Sequence, residues 1–285
     1  MNRQVVWRTT VYFALFVIFT LFFLLINFPS ERLTTRINGW MLSSSNGTVT
    51  VENARIKLPL SLVLGGITLK HGHGSLDLGE AVVGMRFLGL ITGKKAAKVR
   101  LENPWLNSKF TLVSSGEEWD LDVRSMEVDL SELPDDIMTL PLSLEGKLEV
   151  SLKLHSKDPS QGVSSGDIRI TSGPVEIAGD LLETLGFAPL LISRMSAVGT
   201  VEDNVLSLGE NFIEGDLIAT ARGEIKVTPS SYMSSRLNLT AEVKPGSEAR
   251  ERLLPVFTLM GARPGADGGI NIRIRGTIGR PSINM

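Results

Sequence analysis

Along most of this chain apolar and polar side chains trade places at every second residue. The clearest stretch is "GKLEVSLKLHS", where Leu148, Val150, Leu152 and Leu154 point one way and Lys147, Glu149, Ser151 and Lys153 the other. "GGINIRIRG" repeats the pattern with Ile270, Ile272 and Ile274 opposed to Asn271, Arg273 and Arg275. Successive side chains of a strand leave on opposite faces, so each segment reads as a strand with one apolar face. The same period recurs from Val49 and Val51 onward, in Ile56–Leu58–Leu60, Leu62–Leu64, Ile67–Leu69, Val83–Met85, Val99–Leu101, Phe110–Leu112 and Leu121–Val123. It resumes in Ile168–Ile170, Val175–Ile177, Ile225–Val227 and Leu237–Leu239. The break between, near 156–166, marks a candidate subdomain boundary.

Few segments carry a helical pattern. "ERLTTRINGWML" (31–42) reads as an amphipathic stem, ended by the turn signal Asn46-Gly47. "AGDLLETLGFAPLLI" (178–192) and "GSEARERLLPVFTLMG" (246–261) are the other candidates, the second with Ser247 as N-cap, Gly261 as stop and Pro255 as a kink. Closely spaced strands with so few helices leave no room for parallel crossovers, so the sheet is expected to be largely antiparallel. The expected fold is mainly β: a single N-terminal transmembrane helix, then an elongated, curved, largely antiparallel sheet with few short helices. Its apolar faces must pair in a sandwich or line an open groove, and alternation alone fits both.

"VYFALFVIFTLFFLLINF", Val11 to Phe28, breaks the alternation altogether, with no charge over 18 residues. At about 1.5 Å per residue it nearly crosses a hydrocarbon core of about 30 Å. Eight of the 17 aromatic residues lie in the first 28 positions. Arg3 and Arg8 precede the run, and "LINFPSER" after it lacks the small-x-small site of a cleaved signal peptide. The segment therefore reads as an uncleaved signal-anchor with its N-terminus in the cytoplasm. The layout expected is a cytoplasmic tail at 1–10, a span at 11–28, a stem at 29–46 and a β-rich exported domain at 47–285.

Composition narrows the function more than it names one. Lys plus Arg number 29 and Asp plus Glu 31, a formal charge of -2 with no basic stripe among aromatics, which argues against nucleic acid. No cysteine is present, which removes disulfides, thiolate metal sites and thiol nucleophiles. His71 and His73 share a strand face at i and i+2, but Asp77, Glu80 or His155 would have to complete a metal site from a distance, so a Gly-rich turn is the reading and no metal is expected. The carboxylates of "SSGEEWD" (114–120) and "LPDDI" (133–137) sit in turn contexts and read as solvated, and no G-x-S-x-G elbow occurs. "GARPGADGG" (261–269) lacks the Lys-Ser/Thr of a phosphate cradle; "GKKAAKVR" (93–100) is a small basic cluster that reads first as a solvated face and second as a contact for lipid headgroups. No catalytic residue and no cofactor are expected.

Taken together, the span ending in "NFPSERL", the stretch "GTVTVENARIKLPLSLVLGGITLKHGHGSLDLG" and the closing "ARGEIKVTPSSYMSSRLNLTAEVKPG" and "GGINIRIRGTIGRPSI" resemble the type II secretion system protein N family, and more distantly AsmA-like proteins. The first resemblance implies a non-enzymatic accessory subunit in a bacterial inner membrane, its main domain periplasmic and its partners other envelope subunits of the secretion machine. The second implies a sheet whose apolar face carries lipid acyl chains. Leu148, Val150, Leu152, Leu154, Ile270, Ile272 and Ile274 would line that face.

Overall fold

The computed structural model describes residues 16, 30–45, 47–57, 61–71, 74–85, 95–134, 142–158, 161–180, 182, 188–209, 211–229, 231–259 and 264–284. Apart from residue 16, the span expected at 11–28 lies outside them. Among the described residues no helix is long and apolar enough to cross a membrane.

The stem is helical from Ser30 to Ser44 (α1). Strands then follow as β1 (Val49–Lys57), β2 (Ser61–His71), β3 (Gly74–Met85), β4 (Lys95–Asn103), β5 (Leu106–Ser115), β6 (Glu118–Asp129), β7 (Ser143–Ser156) and β8 (Ser165–Ala178). β9 (Leu190–Glu202), β10 (Val205–Leu208), β11 (Phe212–Gly215), β12 (Leu217–Lys226) and β13 (Arg236–Pro245) precede a second helix, α2 (Arg250–Leu259), and the chain returns in β14 (Ile270–Thr277) and β15 (Arg280–Asn284). All belong to one 15-stranded antiparallel sheet in which chain order and spatial order coincide, with β11 beside β10 between β9 and β12. Short connections allow only this meander, because each strand ends next to where its successor begins. β7 pairs β8 across the turn at 156–166, so the sheet runs through that candidate boundary unbroken.

Local chemistry sets the turns and the irregularities. The β9–β10 hairpin turns on Asp203 and Asn204, both left-handed with φ of 45° and 65°, the conformation that a tight two-residue hairpin needs. In β1 and β2 the inward parity changes between Val51 and Ala54 and between Leu64 and Ile67. Gly65 and Gly66 permit this: Gly66 has φ +62°, and a Cβ at Gly65 would fall 2.7 Å from the Asn53 side chain. Further bulges interrupt the register within β3, β6 and β8.

Both expected helices of the body are shorter than the sequence suggests. The segment at 178–192 begins at the last residue of β8, and its Leu190–Leu191–Ile192 opens β9; an apolar run of this length fits a strand as well as a helix. α2 starts at Arg250 rather than beside Ser247 and holds Pro255 within it.

The helices cover the two ends of one sheet face. Leu33, Ile37 and Met41 of α1, spaced four apart, pack on Val51, Ala54, Leu64, Ile67 and Ala81. Phe257 of α2 packs on Ile270, with Leu217, Val243 and Ile272 around them. Among the described residues neither buried cluster includes a residue of β5 to β11. Among the described residues the two buried clusters lie beneath the helices, one toward each end of one sheet face.

Candidate functional site

Cross-strand register shows what that face is made of. Directly opposed residues of an antiparallel pair share a face, so a row can be followed from strand to strand. One row runs Ile56, Leu62, Val83, Val99, Phe110, Val123, Leu152, Ile168, Gly199, Leu208, Gly223, Leu239, Ile274, Ile283. It crosses from β1 to β15 without one polar side chain. At about 4.8 Å between strands, its 13 steps cover about 62 Å.

Two parallel rows flank it. Leu106, Val128, Leu148, Ser172, Met195, Ile213, Ala219, Val243 and Ile270 form the first. Ala97, Leu112, Leu121, Leu154, Gly166, Val201, Leu206, Ile225, Leu237 and Gly276 form the second. Val150 and Ile272 fall between, on the same face. Register thus joins the two segments singled out in the sequence, although more than a hundred residues separate them: Leu148 shares a row with Ile270, and Leu152 with Ile274.

The rows are continuous but not equally open. Leu148, Val150, Leu152, Leu154, Ile272 and Ile274 are half-buried. Ile270, on the same face, is 5% exposed and packs against Phe257. Between the helices Leu112 remains 40% exposed. Val123 and Val201 are buried, yet neither belongs to a buried cluster. No ionisable side chain enters the three rows. The polar groups on this face are small: Ser108, Ser156 and Ser172 have buried hydroxyls without a hydrogen-bond partner among the described residues.

A seam lies between β10 and β11, where the ladder skips. Asn211 closes it, its Oδ1 accepting from the Val198 N–H at 2.7 Å and its Nδ2 donating to the carbonyls of Gly209 and Ala221. Nothing in the local sequence singles out this asparagine, because two of its three partners, Val198 and Ala221, lie on other strands.

The opposite face carries the charges, and the residues weighed for chemistry are used there as structure. The Asp77 carboxylate accepts from Gly79 N–H at 2.8 Å, and Glu80 pairs with Arg55 at 3.1 Å. His155 does not approach the segment of His71; its Nδ1 lies 2.8 Å from Asp120 Oδ1. Among the described residues no group of His, Asp and Glu is placed to hold a metal. His73 and residues 135–137 lie outside the described residues. Asp129 caps a 3-10 turn at Leu130–Glu132, and the Ser131 hydroxyl and N–H hold its carboxyl below the usual range. Glu127 beside Lys147 raises that ammonium. These interactions fix turns and strand pairs.

Among the described residues, one 15-stranded antiparallel sheet with an apolar and a charged face defines the class of this protein as mainly β. Compared with known proteins, the chain matches no family model, no curated protein and no solved structure.

Proposed function

We propose that this is a non-enzymatic protein of a bacterial envelope that holds lipid acyl chains against its apolar sheet face. The observation that carries the reading is the uninterrupted row of aliphatic, aromatic and glycine positions between two helices that cover only its ends. From β5 to β10 the row spans about 24 Å, more than the roughly 15 Å depth of one bilayer leaflet. A protein partner docked there would meet almost no hydrogen-bonding side chain, whereas interfaces between proteins carry about one hydrogen bond per 100–200 Å². Acyl chains need none. The bulges in β2, β3, β6 and β8 would let the sheet bend around such a ligand.

Residues 11–28 are the membrane anchor in this proposal, with the N-terminus cytoplasmic and the sheet periplasmic. α1 supports it: the outward side carries Arg32, Arg36 and Trp40, four residues apart, and Trp40 is 66% exposed. Basic and tryptophan side chains together suit the membrane–water interface. An anchored sheet would also have acyl chains at hand.

A second reading, first in order from the sequence alone, is an assembly subunit of the type II secretion system. The two sheet edges favour it. At β1 the outward N–H groups of Val51 and Ala54 are taken by Asn38 Oδ1 and Thr34 Oγ1 of α1, while β15 is exposed along its whole length. One closed and one open edge would let a partner strand add at one end only.

Gentle purification of the full chain from native membranes, followed by mass spectrometry of lipids and proteins together, tests both. Stoichiometric phospholipid or glycolipid is the expected result. Secretion-system subunits in place of lipid would overturn the acyl-chain reading and establish the second.

A further inference from the structure

On the charged face, one depression collects positive charge. Its volume is about 400 Å³, and Lys98, Arg100, Lys109 and Arg124 line it together with Ser61, Thr111 and three apolar residues. They come from three strands. Lys98 and Arg100 alternate on β4, Lys109 stands directly opposite Arg100 on β5, and Arg124 sits at the β6 bulge, where the register beside Lys109 shifts. A bulge re-aims the side chain it carries, which brings Arg124 to the same hollow. Gly84 adds no side chain to the floor.

The arrangement is electrostatically unfavourable by itself. Like charges directly opposed on a sheet destabilise it, and no acidic side chain lines the depression. Arg100 reaches Glu102 at 3.5 Å and Arg124 reaches Asp122 at 3.5 Å, both acids outside the lining. Lys98 and Lys109 have no acidic partner among the described residues. All four basic side chains are exposed. Two forked guanidiniums, two ammoniums and two hydroxyls in one hollow match a tetrahedral oxyanion, whose oxygens accept several charge-assisted hydrogen bonds.

We propose that this depression binds a phosphate group, carried by a lipid headgroup or free in solution. The site lies on the face opposite the apolar rows and does not rest on the acyl-chain reading. Its place on β4 to β6, near the end of the sheet that α1 covers, puts it toward the proposed anchor, where an anionic membrane surface would attract it.

Isothermal titration of the full chain in a neutral detergent tests the site with three probes: inorganic phosphate, dihexanoyl phosphatidylglycerol and dihexanoyl phosphatidylcholine. The wild type is expected to bind the phosphatidylglycerol at least about tenfold more tightly than the zwitterionic phosphatidylcholine. The double variant K98Q/K109Q should lose at least about tenfold in that affinity, and K98R/K109R should keep it. Both lysines are exposed and have no acidic partner among the described residues, and circular dichroism verifies that each variant folds. Phosphatidylglycerol binding with silent inorganic phosphate assigns the site to headgroups; binding of both assigns it to the phosphate itself. Unchanged affinity in a folded K98Q/K109Q, or no binding of either anion by the wild type, overturns the proposal.

Discussion

Replacing Leu152 by Glu places a carboxylate in the middle of the longest apolar row, between Val123 of β6 and Ile168 of β8. Its cost depends on whether the face is open. A fully buried leucine contributes about 1.5–3 kcal/mol, and half-burial roughly halves that, so Leu152→Glu should cost about 1 kcal/mol with the new carboxylate reaching water. At about 2–4 °C per kcal/mol for a chain of this size, Tm should fall by no more than about 5 °C. Inside a closed core the same carboxylate would be stranded without a partner, at a cost of several kcal/mol. Thermal unfolding of the full chain by circular dichroism, with lipid counted by mass spectrometry on the same sample, reads both consequences. Ser151→Glu is the matched control, since it puts the charge on the other face opposite Arg169 and should leave bound lipid unchanged. A Tm loss beyond about 15 °C would refute the open face. A folded Leu152→Glu protein with its full complement of lipid would refute the acyl-chain role instead.

Three further outcomes follow from particular contacts. Phe257→Ala removes the side chain that clamps α2 on Ile270 and should cost about 3 kcal/mol in chemical denaturation, with faster amide exchange in β14 than in β7. Asn211→Ala opens the seam between β10 and β11, leaving Val198 N–H and the Ala221 carbonyl without their partner, and should cost about 2 kcal/mol by the same assay. Asp129 should titrate below the ordinary carboxylate range when followed by NMR, and Ser131→Ala should return it upward. Its pKa is lowered by folding, so its small contribution to stability is present above the ordinary carboxylate pKa and fades as pH falls through the lowered value; Asp129→Asn abolishes that dependence.

Strand identity was legible in this chain because each strand keeps one wet face, and alternation then records orientation residue by residue. Leu148 to Leu154 and Ile270 to Ile274 could be assigned a face before any pairing was known. Three things lay beyond that signal. Alternation does not say what covers a face, so Ile270 looked the same as Ile274 although Phe257 buries only the first. An apolar run without polar interruptions has no period to read, which is why Leu190–Ile192 passed for helix while it starts β9. Cross-strand neighbours depend on register, so the sequence offered Lys98 and Arg100 as a minor cluster without Lys109 and Arg124. Register is fixed by bulges and turns distributed along the whole chain, and no local window contains it.

Where the fold covers itself bears on whether the open stretch is functional. A meander of this length has two hazards, its edge strands and its apolar face, and they coincide at the sheet ends, where an incoming chain could pair and bury surface at once. Cover is concentrated there. α1 takes up two outward N–H groups of β1 and buries the apolar residues beside them. At the far end α2 covers β12 to β14, while the short β15 keeps its outer edge exposed. In β5 to β11 no edge is free, so apolar exposure there cannot seed strand addition. A sequence that merely failed to build a core would have no reason to sort cover in this way. Apolar exposure persists both at Ile283 on the edge strand β15 and at Leu112 within the sheet, and only the second lies where it cannot seed strand addition, as a surface retained for a ligand would.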